Sequence, residues 1–132
     1  MGLTRRPGQF TSAFAAVVFA AASASAAEPF SKAYSECMEK AGGATPATQD
    51  CIGGEHERQD RRLNVAYRAL LGSLPDKRKA QLRDLQRKWL AFRDANCAFY
   101  DDSGGGQASR LAANECLLRY TALRAAELED LK

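Results

Sequence analysis

The stretch LRDLQRKWLAFRDANCAF, residues 82–99, is the strongest indication of the fold in this sequence. Six of its side chains, five of them apolar, follow one another at alternating steps of three and four. They are Leu82, Leu85, Trp89, Phe92, Asn96 and Phe99. This spacing places them on one face of an α-helix and is typical of the heptad seam between packed helices. We therefore expect a long helix that buries this face against a neighbour.

The chain around this stretch is rich in the good helix formers Ala, Leu, Arg, Glu, Lys and Gln. Three clusters of helix breakers interrupt it, at Gly42-Gly43 with Pro46, at 72–75 and at 103–106. They predict four helices over about 30–41, 46–71, 76–100 and 109–131, with Thr45 as the N-cap of the second. Because the connections are short, we expect an all-α fold, a small four-helix up-down bundle.

The first 27 residues are typical of an export signal. Arg5 and Arg6 precede the apolar run AFAAVVFAAA at 13–22, and Ala24-Ser25-Ala26 offers the pattern that signal peptidase recognises. The apolar run is too short to span a bilayer, and no cysteine follows the cleavage point for a lipid anchor. We expect a signal peptide over 1–27, a single domain over 28–132, no stable membrane anchor, and a periplasmic or secreted location.

Loss of the leader also removes Arg5 and Arg6, which leaves 17 basic against 16 acidic side chains. The basic character of the whole chain is thus largely a property of the leader, and we expect no nucleic-acid partner. The uneven part is 58–93, where eleven Lys and Arg accompany only Asp60, Asp76 and Asp84. A solvated helix face explains this excess, and so does a surface that binds an acidic partner.

Four cysteines remain in the exported part, and an even number in a small exported domain indicates disulfides. Cys37 and Cys51 lie on either side of the first break, and Cys97 and Cys116 on either side of the third. We predict the pairs Cys37–Cys51 and Cys97–Cys116, although the sequence alone leaves the two other connectivities open.

Polar residues inside the helical pattern form a predicted structural network. Trp89, Arg93 and Cys97 share one face of the third helix, so Arg93 needs an acceptor such as Asp60, Asn64 or Glu115. Thr121 and Arg124 form a similar pair on the last helix. We expect the network to lock the packing of the helices rather than to carry chemistry. Its members are Asp60, Asn64, Trp89, Arg93, Thr121 and Arg124.

The loop DDSGGGQ at 101–107 is the most distinctive connection of the chain. Three glycines allow unusual backbone angles, and a flexible loop on a rigid hairpin suits recognition. A plain connector is the other interpretation. As a possible partner-binding loop it comprises Asp101, Asp102, Ser103, Gly104 and Gln107.

We expect no metal, no cofactor and no enzymatic activity. Cys-x-x-Cys spacing is absent, and the single histidine lies in Glu55-His56-Glu57, where neighbouring side chains point to different faces of a helix. We therefore interpret this tripeptide as solvated surface. No nucleophile, base and orienting group come together in the sequence.

Three segments resemble the LprI N-terminal-like family of exported bacterial domains. They are DRRLNVAY at 60–67, QRKWLAFRDANC at 86–97, and Cys116 with Thr121 and Arg124. The resemblance extends from Cys37 to Leu128. It implies a small helical, disulfide-bonded envelope protein that acts by binding, with lysozyme as a possible protein partner that it inhibits. The alternative is an envelope interaction module of other function, which uses the basic helical face.

Overall fold

The computed structural model describes residues 30–101 and 104–131, and the predicted signal peptide lies outside them. Four helices, with no strand among these residues, form the fold: α1 (Lys32–Ala41), α2 (Thr45–Ser73), α3 (Asp76–Asp101) and α4 (Gln107–Asp130). The predicted all-α bundle is confirmed. No described helix is both long and apolar enough to cross a membrane.

The helix ends follow the local sequence signals in most places. Ser31 caps α1 by accepting a hydrogen bond from the Tyr34 N–H at 3.2 Å, and Gly42 ends it with φ of 55°. Thr45 was wrongly expected to be the N-cap of α2. Ala44 occupies that position without a side-chain bond, and Thr45 is already helical, next to Pro46. A proline near the first helical position already suits the start of a helix.

Helix α4 is the centre of the bundle, because both α2 and α3 pack against it, while α1 packs against α2. Leu118, Ala122, Ala125 and Leu128 of α4 are at most 1% exposed. Arg62 of α2 and Glu129 of α4 add a two-bond ion pair, with distances of 2.9 and 2.6 Å. The apolar core lies near the α2–α3 connection and contains residues from three helices, namely Leu63, Ala66, Leu70, Leu82, Ala125 and Leu128.

Both predicted disulfides are present. Cys37–Cys51 joins α1 to α2 with a Cα–Cα distance of 5.7 Å, and Cys97–Cys116 joins α3 to α4 at 5.4 Å. Each therefore links the two helices of one hairpin near its connection. Since α1 contacts α2 and α3 contacts α4, the disulfides join elements that already pack together.

The predicted seam of α3 is only partly correct. Of its six side chains only Leu82 is buried, whereas Leu85, Phe92 and Phe99 are more than half exposed. The buried strip of α3 is instead Leu82, Gln86 and Cys97, flanked by half-buried Trp89 and Arg93. Helix α3 packs chiefly on α4, and a single neighbour covers only a narrow strip of a helix.

Candidate functional site

The two ends of the bundle carry opposite charge. We define the acidic end as the disulfide-bonded end, built from α1, the start of α2 to residue 57, and the segments 94–101 and 104–117. It contains three basic side chains, Lys32, Lys40 and Arg110. Its eight acidic ones are Glu36, Glu39, Asp50, Glu55, Glu57, Asp94, Asp101 and Glu115, of which Glu55 and Asp94 pair with Arg58 and Arg93 just beyond these bounds. The rest of the described chain, which we call the basic end, has the opposite excess.

Several carboxylates of the acidic end face solvent without a cation. Among the described residues, no ion pair involves Glu39, Asp50, Asp101 or Glu115, and all four are exposed. Unpaired exposed charges of one sign create a field that attracts partners of the opposite sign. The acidic end is therefore suited to contact a basic protein.

The predicted recognition loop belongs to this end. Gly104, Gly105 and Gly106 have φ of 119°, 71° and 114°, a conformation that side chains with a Cβ rarely adopt. Asp101 and Gln107, on either side of the loop, are exposed, while Asp102 and Ser103 lie outside the described residues.

A groove of about 400 Å³ opens between this loop and the start of α2. Its lining combines both disulfide-bonded hairpins, in the residues Thr45, Pro46, Gln49, Asp101, Gln107, Arg110, Ala113 and Asn114. Phe99, which is 79% exposed, and Asp101 also border a neighbouring shallow depression. One carboxylate, one guanidinium and several amide groups thus line the groove, and Asp101 connects it to the depression that holds Phe99.

Four of the six predicted network residues meet at the centre of the bundle. The Arg93 guanidinium lies 5.0 Å from the Trp89 ring centre and donates to Thr121 Oγ1 at 3.2 Å. The Arg124 guanidinium lies 5.8 Å from the same ring. Arg124 also donates to Gln86 Oε1 at 3.1 Å and to a Glu127 carboxylate oxygen at 2.8 Å. These contacts tie α3 to α4 through charged hydrogen bonds and cation–π contacts.

Asp60 and Asn64 form a separate pair. The Asn64 amide donates to the Asp60 carbonyl and to its carboxylate at 2.9 and 3.0 Å. The acceptors of Arg93 are Thr121 and Asp94, rather than the Asp60, Asn64 or Glu115 suggested by the sequence.

Asp60, Asn64 and Arg93 nevertheless share one cleft. This α2–α3 cleft has a volume of about 320 Å³ and lies between two helices that both pack against α4. Its lining residues are Asp60, Leu63, Asn64, Tyr67, Arg83, Gln86, Arg87, Leu90 and Arg93. Three arginines against one carboxylate give it a positive balance, which suits an anionic group.

Glu55 is the buried residue that the sequence interpretation missed. It is fully buried rather than solvated, and accepts four hydrogen bonds. The donors are Ser31 N at 2.8 Å, Ser31 Oγ at 2.6 Å, Arg58 Nε at 2.7 Å and Gln59 Nε2 at 2.7 Å. The sequence did hold a signal, because Glu55 and Gln59 lie at steps of four between Cys51 and Leu63 and so share their side of the helix. The structure buries all four.

Burial by itself raises the pKa of the Glu55 carboxyl, but the bonds from Ser31, Gln59 and Arg58 outweigh it and hold the pKa below 4.5. The carboxylate therefore stays ionised and connects the N-cap of α1 to α2. It supports the architecture of the acidic end rather than a surface contact.

His56 is half-buried and belongs to the central network, which also corrects its interpretation as surface. Its Nε2 lies 3.3 Å from Thr121 Oγ1, the oxygen that accepts from Arg93. Burial and the nearby Arg93 charge lower the His56 pKa below 6.5, against smaller opposite effects of Asp60 and Glu57. The ring is therefore neutral at neutral pH, and its Nε2 forms a hydrogen bond with the Thr121 hydroxyl.

We predict that acid weakens the fold through His56. A histidine whose pKa is lower in the folded than in the unfolded protein leaves stability intact above about pH 6.5. That stability is lost as the pH falls below this value, because protonation favours the unfolded chain. Urea midpoints at pH 7.5 and 5.5 measure the loss, and His56→Gln is expected to reduce it. An equal pH dependence in both proteins would contradict this role of the only histidine.

No group of three His, Cys, Asp or Glu side chains within the described ranges is arranged to hold a metal ion. Both cysteine pairs are oxidised, and the described chain has no free thiol.

Comparison with known families finds one family model that covers most of the chain. A family model described as lysozyme inhibitor LprI matches residues 37–128, which is more than half of the sequence. The match begins at the first disulfide cysteine and ends at the buried Leu128. No match was found among curated proteins or among solved structures.

Proposed function

Because this chain belongs to the lysozyme inhibitor LprI family, we propose that it is an exported binding protein that inhibits a lysozyme. The family match over 37–128 is the observation that carries the proposal. The two disulfides fit an oxidising location outside the cytoplasm. We infer a role in binding rather than catalysis.

The charge distribution supports a particular contact region. Animal lysozymes are basic, and opposite charge accelerates association with a partner. The net charge of the exported chain is near zero, but the acidic end carries an excess of carboxylates, and Asp101 of this end lines the groove together with Arg110. We propose that this end, rather than the basic helical face, meets the enzyme.

Rigidity of the acidic end also favours tight binding. Cys37–Cys51 and Cys97–Cys116 hold the two hairpins that form the groove, and Glu55 links α1 to α2 beneath them. A surface that is already ordered loses less conformational entropy on association.

We predict that Asp101→Lys weakens inhibition about tenfold, as expected when a like charge enters a complementary interface. The measurement is lysis of a bacterial suspension by a basic lysozyme, in the presence of oxidised protein at increasing molar ratio. Asp76→Lys is the matched control, since it makes the same charge change on the same helix at the basic end. It is expected to leave inhibition within about twofold.

Two results would overturn the proposal. Absence of inhibition at large molar excess, tested with several lysozymes, would remove the function itself. Equal loss of inhibition in the Asp101 and Asp76 variants would leave the function but remove the acidic end as its contact region.

The α2–α3 cleft favours a second candidate, an envelope module that binds an anionic partner. Arg83, Arg87 and Arg93 line this cleft, within the predicted basic face. Capture from envelope extracts tests it, because a charge-driven partner dissociates as salt rises. Arg83→Glu should abolish such capture, whereas Arg68→Glu, an exposed change outside the cleft lining, should not.

A further inference from the structure

Helix α3 exposes three large apolar side chains in one line. Leu85 is 56% exposed, Phe92 53% and Phe99 79%. Steps of seven residues place them on one side of the helix, at the spacing of a helix–helix seam. We call them the α3 stripe. It extends along most of the helix from the basic to the acidic end, and α4 covers it only in part, at Phe92.

Neighbouring residues enlarge this surface. The Phe92 ring meets the Tyr120 ring of α4 edge to face, with 5.7 Å between their centres, and Leu123 of α4 is 53% exposed. The small residues Ala91 and Ala95 are exposed beside Phe92. Small side chains next to large ones let a second helix approach closely. Large apolar side chains exposed in this number on one side of a helix mark an interaction surface.

We propose that the α3 stripe binds the α3 stripe of a second copy of this chain, in antiparallel orientation. The twofold axis lies near Phe92, which is midway between Leu85 and Phe99. Leu85 of each copy then packs on Phe99 of the other, and the two Phe92 side chains meet at the axis. Such a twofold contact uses the same patch on both copies, as in most homodimers.

Charge selects this occupant and this orientation. The stripe begins near Arg78 and Arg83 at the basic end, where Lys88 is already paired with Asp84, and ends beside Asp101 at the acidic end. In an antiparallel pair, the acidic end of each copy faces the basic end of the other. Opposite charges therefore meet at both ends of the stripe. A parallel copy would bring like ends together. A partner of one charge sign, such as a basic enzyme or an anionic membrane, would match only one half.

Cysteine cross-linking tests the geometry. In Phe92→Cys the two new thiols meet at the twofold axis, and mild oxidation is expected to give a disulfide-linked dimer. Val65→Cys is the control, because Val65 is 58% exposed but lies on α2. We expect the Phe92 variant to cross-link at least about tenfold faster, since a specific complex raises the local concentration of the thiols. Mass analysis must find both native disulfides intact.

Equilibrium sedimentation tests the association itself. The unmodified chain is expected to sediment as two chains at low salt, with weaker association at high salt. Phe92→Glu should weaken it more than tenfold, as loss of a central anchor does, while Val65→Glu should not. Circular dichroism verifies that each variant is folded.

A single-chain mass of the unmodified protein at all concentrations would overturn the proposal. So would equally slow cross-linking of the Phe92 and Val65 variants. Binding of the single chain to lysozyme or to anionic vesicles that Phe92→Glu abolishes would assign the stripe to that partner instead. Leu85 and Phe92 of this stripe lie outside the acidic end. If Phe92→Glu loses dimerisation but still inhibits lysozyme, dimerisation and the proposed inhibition are independent properties.

Discussion

Replacing Glu55 by alanine is expected to lower the free energy of unfolding by about 3 kcal/mol, the effect of removing one partner from a buried charged network. A domain of this size is stable by roughly 5–15 kcal/mol, so the loss is a large share. The melting temperature should fall by roughly 12–24 °C.

The expected size follows from what the carboxylate satisfies. Ser31 donates two hydrogen bonds to Glu55, and Gln59 donates one from a buried position. Alanine leaves these donors without their acceptor and releases the N-cap of α1 from α2. Arg58 contributes less, because its side chain is 39% exposed and water replaces the carboxylate.

Glu57→Ala is the matched control, since Glu57 is exposed and makes only a 3.7 Å ion pair with Arg61. It should change stability by less than about 0.5 kcal/mol. Urea unfolding followed by circular dichroism measures both variants. If both lose the same stability, the Glu55 network does not hold α1 in place.

The same carboxylate makes the fold sensitive to strong acid. Its pKa is lower in the folded than in the unfolded protein, so its contribution is complete above pH 4.5. That contribution is lost as the pH falls through the lower, folded-state pKa. Below pH 4.5 the unmodified protein should therefore lose more stability than Glu55→Gln, which has no proton to gain there.

Loss of the Cys97–Cys116 disulfide, by replacing both cysteines with alanine, is expected to reduce stability by about 3 kcal/mol. The disulfide joins residues 19 positions apart and restricts the unfolded chain. Helix α3 also depends on it in the folded state, because only Leu82, Gln86 and Cys97 are buried along its length. Without it, the nearest contacts that hold the end of α3 on α4 are mainly those of Arg93 with Thr121 and of Trp89 with Arg124. These lie about one and two helical turns before Cys97.

Hydrogen exchange distinguishes this effect from a general loss of stability. In the Cys97 and Cys116 variant, amide exchange should accelerate first at the end of α3 and the start of α4. The variant without Cys37 and Cys51 should instead exchange faster in α1, which Glu55 still holds through Ser31. Uniform acceleration in both variants would contradict this local assignment. The first variant should also inhibit lysozyme less, because the proposed contact loop loses its support.

Local chemistry explains why so much of the fold followed from the sequence. Glycine and proline interrupt helices wherever they cluster, so the three connections at Gly42-Gly43, 72–75 and 103–106 were predictable within a few residues. Hairpins bring neighbouring helices together, and this made the pairs Cys37–Cys51 and Cys97–Cys116 the expected disulfides. Family membership followed from motif residues on these same helices.

The tertiary structure alone decided which face of each helix is covered. A sequence pattern shows that α3 has an apolar face. It does not show that α4 packs on the side with Gln86 and Cys97 and leaves Phe92 half exposed. Likewise, the sequence suggests that Glu55 is a surface charge, whereas in the structure it is buried and bonded to Ser31 and Gln59. The separation of the acidic and basic ends arises only when the start of α2 and the start of α4 lie side by side at one end of the bundle. Helix formation depends on residues within a few positions of each other, whereas burial and electrostatic fields depend on groups that are distant in the chain.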